Sequence, residues 1–153
     1  MTERQDKKAR VVVGIDGSAQ SEQALRWAAD FASKSGAWLD VVTAWDYPIA
    51  YGWSMLPDGW NPGDDMAKAQ SEAIDSAFGP DRPGNLRTFV REGNPAHVLL
   101  FEGRDAELLV VGSRGHGGFA GLLLGSVSAA VAEHATCPVL VVHGDRPPPP
   151  VEP

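Results

Sequence analysis

Cysteine is almost missing from this chain. Cys137 is the single one, so no internal disulfide can form and nothing suggests an oxidising compartment. No apolar run approaches the ~20 residues that cross a bilayer. The opening MTERQDKKAR lacks the apolar core of a secretory signal. Together these absences lead us to expect a cytoplasmic protein with no membrane partner. Positive charge is also scarce, with 13 Lys and Arg against 20 Asp and Glu and a net charge of −7. No basic stripe stands out along the sequence, so nucleic acid is not an expected partner. A small anion remains open, because main-chain dipoles act at close range whatever the overall charge. No Gly-Lys-Ser/Thr occurs, which excludes a Walker A loop. The segment after the first strand, GIDGSAQS, is not the G-x-G-x-x-G dinucleotide fingerprint. His97, His134 and His143 lack metal-ligand spacing, and Cys137 reads as inert packing.

What remains is an ordinary globular composition, 43% hydrophobic over 153 residues, enough for one domain with its own core. Residues 10–16, RVVVGID, predict a strand. From Ser21 to Ser35 the apolar residues Ala24, Trp27, Ala28 and Phe31 recur at helical spacing. Ser18 or Ser21 is placed to cap this helix, and Gly36 to end it. Residues 38–44 predict a second strand. Residues 45–63 are rich in Pro, Gly and aromatics and predict neither helix nor central strand. A helix over Asp64–Phe78, a half-exposed strand over 85–91 and a helix from Asn94-Pro95 to Glu102 follow. Glu107–Gly112 predicts a strand, Ser126–Ala135 a helix and Cys137–Val142 a last strand. The order βαβαβαβαβ points to an α/β fold, a parallel sheet with helices on both faces. The first, fourth and fifth strands read as fully buried. In such sheets a ligand sits beyond the carboxyl ends of the strands, where strand order reverses.

The stretch LLVVGSRGHGGFAGLLLGSVS, 108–128, carries the strongest chemical signal. Strand leads into Gly112, then Gly115, then Gly125-Ser126 at the start of a helix. The first two glycines permit positive φ and close approach of main chain to a ligand. The helix start offers unpaired N–H groups and a favourable dipole to an anion. Ser126 and Ser128 add hydroxyls that can donate to phosphate or cap the helix. Arg114 and His116 bring the positive charge. The competing reading is a plain turn with Ser126 as an N-cap.

The spacing Gly112, Gly115, Gly125, Ser126 resembles the G-2x-G-9x-G-[S/T] nucleotide-binding pattern of the universal stress protein family. VVVGIDGSAQSEQALRWA and HATCPVLVV resemble the family's first strand and helix and its last strand. The resemblance spans about residues 9–143, leaving 1–8 and 144–153 as expected tails. It implies a five-stranded parallel sheet of order 3-2-1-4-5, adenine nucleotide alpha hydrolase-like and Rossmann-like. It also implies ATP binding, with Mg or Mn on the phosphates, and a homodimer through the last strand. Asp16 would meet ribose or hold a metal indirectly. The backbone of Val41, Val42, Thr43 and Ala44, with Val111, would border adenine. Gly112 and Arg114 would lie beside ribose and phosphate, with His116 as a further phosphate contact. Gly115, Gly125, Ser126, Val127 and Ser128 would hold the phosphates.

No general base and no catalytic Lys stands near the cradle. We therefore expect a nucleotide-binding stress-response protein rather than an enzyme. A slow ATPase, a cyclic AMP binder and a nucleotide-free dimerisation module are the alternatives.

Overall fold

The computed structural model describes residues 8–46, 59, 61–114, 124–144 and 146–150. Five parallel strands alternate with four helices in chain order: β1 Arg10–Gly14, α1 Ala19–Ser35, β2 Trp38–Trp45, α2 Pro62–Phe78, β3 Leu86–Glu92, α3 Pro95–Glu102, β4 Leu108–Gly112, α4 Ser126–His134 and β5 Val139–Val142. The sheet order is β3-β2-β1-β4-β5 with every pair parallel, the order that the family resemblance implies. Strand order reverses between β1 and β4. No described helix is long and apolar enough to cross a membrane.

Alternation along the strands divides the core into two layers. Val11, Val13, Leu39, Val41 and Val110 pack under α1 and α2 with Leu25 and Ile74. Val12, Val42, Leu109 and Val111 pack under α3 and α4 with Leu99 and Val131. Each such buried aliphatic side chain is worth roughly 1.5–3 kcal/mol. Cys137 joins the second layer. Burial raises its thiol above the ordinary range, outweighing its backbone hydrogen bond and the charge of Arg10, both of which lower it. That keeps it protonated at neutral pH.

The expected stripe on α1 is shifted. Ser21, Ala24, Leu25, Ala28 and Ala32 are buried, whereas Phe31 is exposed and Trp27 sits at the margin. Small residues face the sheet because the helix lies close to it, and the large rings flank that contact. Trp27 Nε1–H donates to the carbonyl of Arg146 at 2.8 Å, so the segment after β5 crosses this helix. Ser18 caps α1 and Gly36 ends it with φ 69°. α2 begins earlier than Asp64, at Pro62, because the Asn61 side chain accepts the Gly63 N–H. This is the same Asn-Pro device that opens α3 at Asn94-Pro95. β5 is half-buried rather than fully buried, since it lies at an edge of the sheet. β2 is the better buried strand, although it carries Asp40.

Asp40 is 1% exposed and is held by two arginines. Arg87 donates Nε and Nη2 to it at 2.7 and 3.0 Å, and Arg10 Nη1 donates at 3.1 Å. Arg10 Nη2 also donates to the carbonyls of Glu102 and Arg104. A cation thus sits where the C-terminal carbonyls of α3 concentrate negative charge.

Gly14 sets the distance between β1 and α3. A Cβ there would lie 2.6 Å from Leu99 Cδ1 and 3.2 Å from its Cγ. Gly14→Ala should therefore destabilise by about 1–3 kcal/mol through overpacking, read as a lower urea midpoint. Adding Leu99→Val should recover part of that loss.

Candidate functional site

The carboxyl ends of β1, β2 and β4 meet the first turns of α1 and α4. Main-chain hydrogen bonds fasten them together. The Ile15 N–H donates to Val42 O at 3.0 Å, and the Ser113 N–H to Val142 O at 2.8 Å. The chain leaves β1 through Asp16, whose Oδ1 accepts the Ser18 N–H at 2.9 Å. That turn needs Gly17, at φ 85°, a conformation that costs a side chain dearly. Asp16 thus forms the turn, and it remains exposed at the rim, where the ligand role expected of it would be exercised.

Gly112 ends β4, but not with the positive φ allowed for it. What requires glycine there is the main chain of α1. A Cβ on Gly112 would stand 3.2 Å from both the carbonyl carbon and oxygen of Gln20. β4 and the first turn of α1 are thus in main-chain contact at the reversal point.

The return into α4 is held by one carbonyl. Ser113 O accepts the Gly125 N–H at 2.7 Å and the Ser128 hydroxyl at 2.8 Å. Gly125, not Ser126, is the N-cap, and no side chain caps the helix. Ser128 is buried and turns its hydroxyl inward, to Ser113 O and Gly125 O, not towards the mouth. Of the two roles open to that hydroxyl, donor to phosphate or to the helix start, these bonds show the second. The amides of Ser126, Val127 and Ser128 occupy the first turn, where a helix supplies no acceptor of its own. With the helix dipole they form a positive, directional patch.

Val41 and Thr43 turn their side chains under α2. Gln70 Nε2 lies 3.2 Å from Val41 O, 3.1 Å from Thr43 Oγ1 and 3.0 Å from Phe89 O. The strand end therefore offers a ligand its remaining main chain and Ala44, which is half-buried. Val111 lies 3% exposed in the α3–α4 layer. Arg114 is half-buried beyond Ser113. Gly115 and His116 lie outside the described residues.

Two participants have no signal in the sequence. Ser113 sits between better-marked neighbours, yet its carbonyl joins β4 to α4. Gln20 carries a buried Oε1 without a partner among the described residues, on the residue whose main chain touches Gly112. Among the described residues no group of His, Cys, Asp and Glu could hold a metal ion by itself.

The model of the universal stress protein family matches residues 9–143. The chain belongs to the universal stress protein family. A universal stress protein of Mycolicibacterium smegmatis is 39% identical over 140 residues, covering 90% of this chain and 46% of the relative. The chain spans about half the length of the curated relatives it matches. Among solved structures, a universal stress protein in complex with cAMP is 34% identical, with TM-score 0.65, covering 89% of this chain and 97% of the other. The universal stress protein of Archaeoglobus fulgidus in complex with dAMP is 25% identical, with TM-score 0.58, covering 89% and 98%.

Ser128→Ala should release one of the two donors on Ser113 O and leave the fold intact. The expected cost is about 1 kcal/mol, read in chemical denaturation. Faster hydrogen exchange at the Gly125 amide should accompany it.

Proposed function

We propose that this chain binds ATP in the crevice between β1 and β4 and acts in stress signalling through nucleotide-dependent conformation or partner binding. The observation that carries the reading is the set of first-turn amides at Ser126, Val127 and Ser128, placed where strand order reverses. The phosphates lie on those amides and on Gly125, with Gly115, Arg114 and His116 completing the loop side. Asp16 and Gly112 flank the ribose. Val111, Ala44 and the main chain of 41–44 border the adenine. Gln20 Oε1, buried and unpartnered, fits a polar ligand in the same crevice. A divalent ion, Mg or Mn, travels on the phosphates rather than in a protein cage.

A bound nucleotide shifts the protein only as far as its affinity differs between two states. The natural lever is the contact between Gly112 and Gln20, which ties the site to α1. The partner surface includes β5, an apolar edge strand left half-buried, which supports a homodimer through the last strand. The working compartment in this reading is the cytoplasm.

Cyclic AMP is the second reading, favoured by the cAMP complex of a 34% identical protein. Its single phosphate would use the same amides and leave the outer loop unfilled.

Mass spectrometry of ligand released on denaturing protein purified without additives separates the two. ATP is the expected species; cyclic AMP would move the assignment to the second reading. An empty site that also fails to take up either ligand in titration would overturn both. Gly125→Ala tests the cradle. Its φ of −71° is open to alanine, so the fold should survive. A methyl group beside the amides should weaken ATP by about tenfold or more, ~1.4 kcal/mol. Unchanged affinity would show that the phosphates lie elsewhere.

A further inference from the structure

The sequence shows no basic stripe, yet the fold builds one along β3. Lys8 and Arg87 both stand over the Trp38 ring, at 4.3 and 4.6 Å from its centre. Arg87 and Arg91 flank Phe89 at 5.9 and 5.0 Å. Arg87 joins Arg10 through Asp40. Arg10 reaches the carbonyl of Arg104, and Arg104 covers the ring of Phe101 at 4.3 Å. Arg91 Nε donates to Glu102 at 2.9 Å. Residues far apart in sequence thus form one connected cluster on the α3 side of the sheet. Five of the chain's 13 cations gather here, three of them paired with Asp40 or Glu102 among the described residues, in a molecule whose net charge is −7.

Arg87 spends Nε and one Nη2 hydrogen on Asp40, leaving Nη1 to point away. Arg91 donates Nε to Glu102, and its side chain is 48% exposed. Phe101 is 62% exposed. Charges on an edge strand ordinarily stand over it and repel other strands. Here carboxylates and rings hold them along the strand, with the edge left accessible among the described residues.

That edge also has free main chain. β3 pairs with β2 alone among the described strands. The bonds from Leu39 N–H to Asn85 O and from Gly93 N–H to Trp45 O fix the alternation. Residues 87, 89 and 91 turn their N–H and C=O groups to β2, so Thr88 and Val90 turn theirs outward. Arg87, Phe89 and Arg91 share the face beside that edge.

We propose that this surface docks an acidic peptide segment of a partner protein in extended conformation, added to β3 as a further strand. Its main chain pairs with Thr88 and Val90, its carboxylates meet Arg87 and Arg91, and its apolar side chains rest on Phe89 and Phe101. Charge complementarity selects an acidic chain. The outward N–H and C=O groups select a peptide over a nucleic acid, which has no main-chain amides to offer. The proposal does not depend on the nucleotide reading.

The test is fluorescence anisotropy on the full chain with a labelled short peptide of alternating Glu and Val. A Lys-Val peptide and oligouridylate serve as comparisons. The Glu-Val peptide should bind in the micromolar range and weaken about tenfold from low to high salt. Arg91→Gln with Arg104→Gln leaves the Asp40 network whole, and should weaken binding about tenfold without lowering the thermal midpoint by more than a few degrees. Hydrogen exchange at the Val90 amide should slow on binding, which charge attraction alone would not produce. Equal binding of the Lys-Val peptide, unchanged affinity in the double variant, or unchanged Val90 exchange would overturn the proposal. Tighter binding of oligouridylate would replace it with a nucleic-acid surface.

Discussion

The upper end of this molecule is organised around one acceptor, the main-chain oxygen of Ser113. It receives two hydrogen bonds from the start of α4, one from the Gly125 amide and one from the Ser128 hydroxyl. A carbonyl has two lone pairs, and both are used. The helix is thereby seated on the end of β4 without a side chain capping its amides. An ordinary Ser or Asp cap would fill at least one of them. Stability comes from behind the helix start, and among the described residues no side chain covers the front.

The lower end is built on a different principle. Asp40 lies near the start of β2, an interior strand between β1 and β3, and two arginines neutralise it. A buried carboxylate flanked by cations is a poor source of stability compared with an apolar replacement. Its effect is geometric: it binds β1, β2 and β3 and the end of α3 into one ionic network. Arg87 is fixed by that network, so its remaining donors and its planar face are preset for whatever approaches β3. The two ends of the sheet thus offer opposite recognition chemistry, amide donors above and stacked guanidinium groups below.

The architecture was legible because alternating strands and helices with short connections leave few solutions, and the family resemblance narrowed them to this strand order. The reversal point between β1 and β4 followed from that order. What escaped is what depends on which face a residue meets. Spacing marked Ala24 and Ala28 correctly but could not tell the row containing Leu25 and Ala32 from the row containing Trp27 and Phe31. In WLDVVTA, nothing marks the Asp as a buried ionic centre, because its partners lie 30 and 47 positions away. Spacing left the Ser128 hydroxyl open between phosphate and the helix start, and its bond to Ser113 O depends on a contact that spacing does not show. Gly112 was marked for close approach to a ligand, and the structure adds a neighbour that spacing does not show, the main chain of Gln20.

That contact changes how loss of function would arise among related sequences. A side chain at position 112 would act as a wedge between a strand and a helix, 3.2 Å from main chain that would have to give by a few tenths of an ångström. It would pry the two walls of the crevice apart from below while every donor at the rim stayed in place. Two chains could then carry identical rim residues and differ completely in occupancy, separated by a single methyl group that touches no guest.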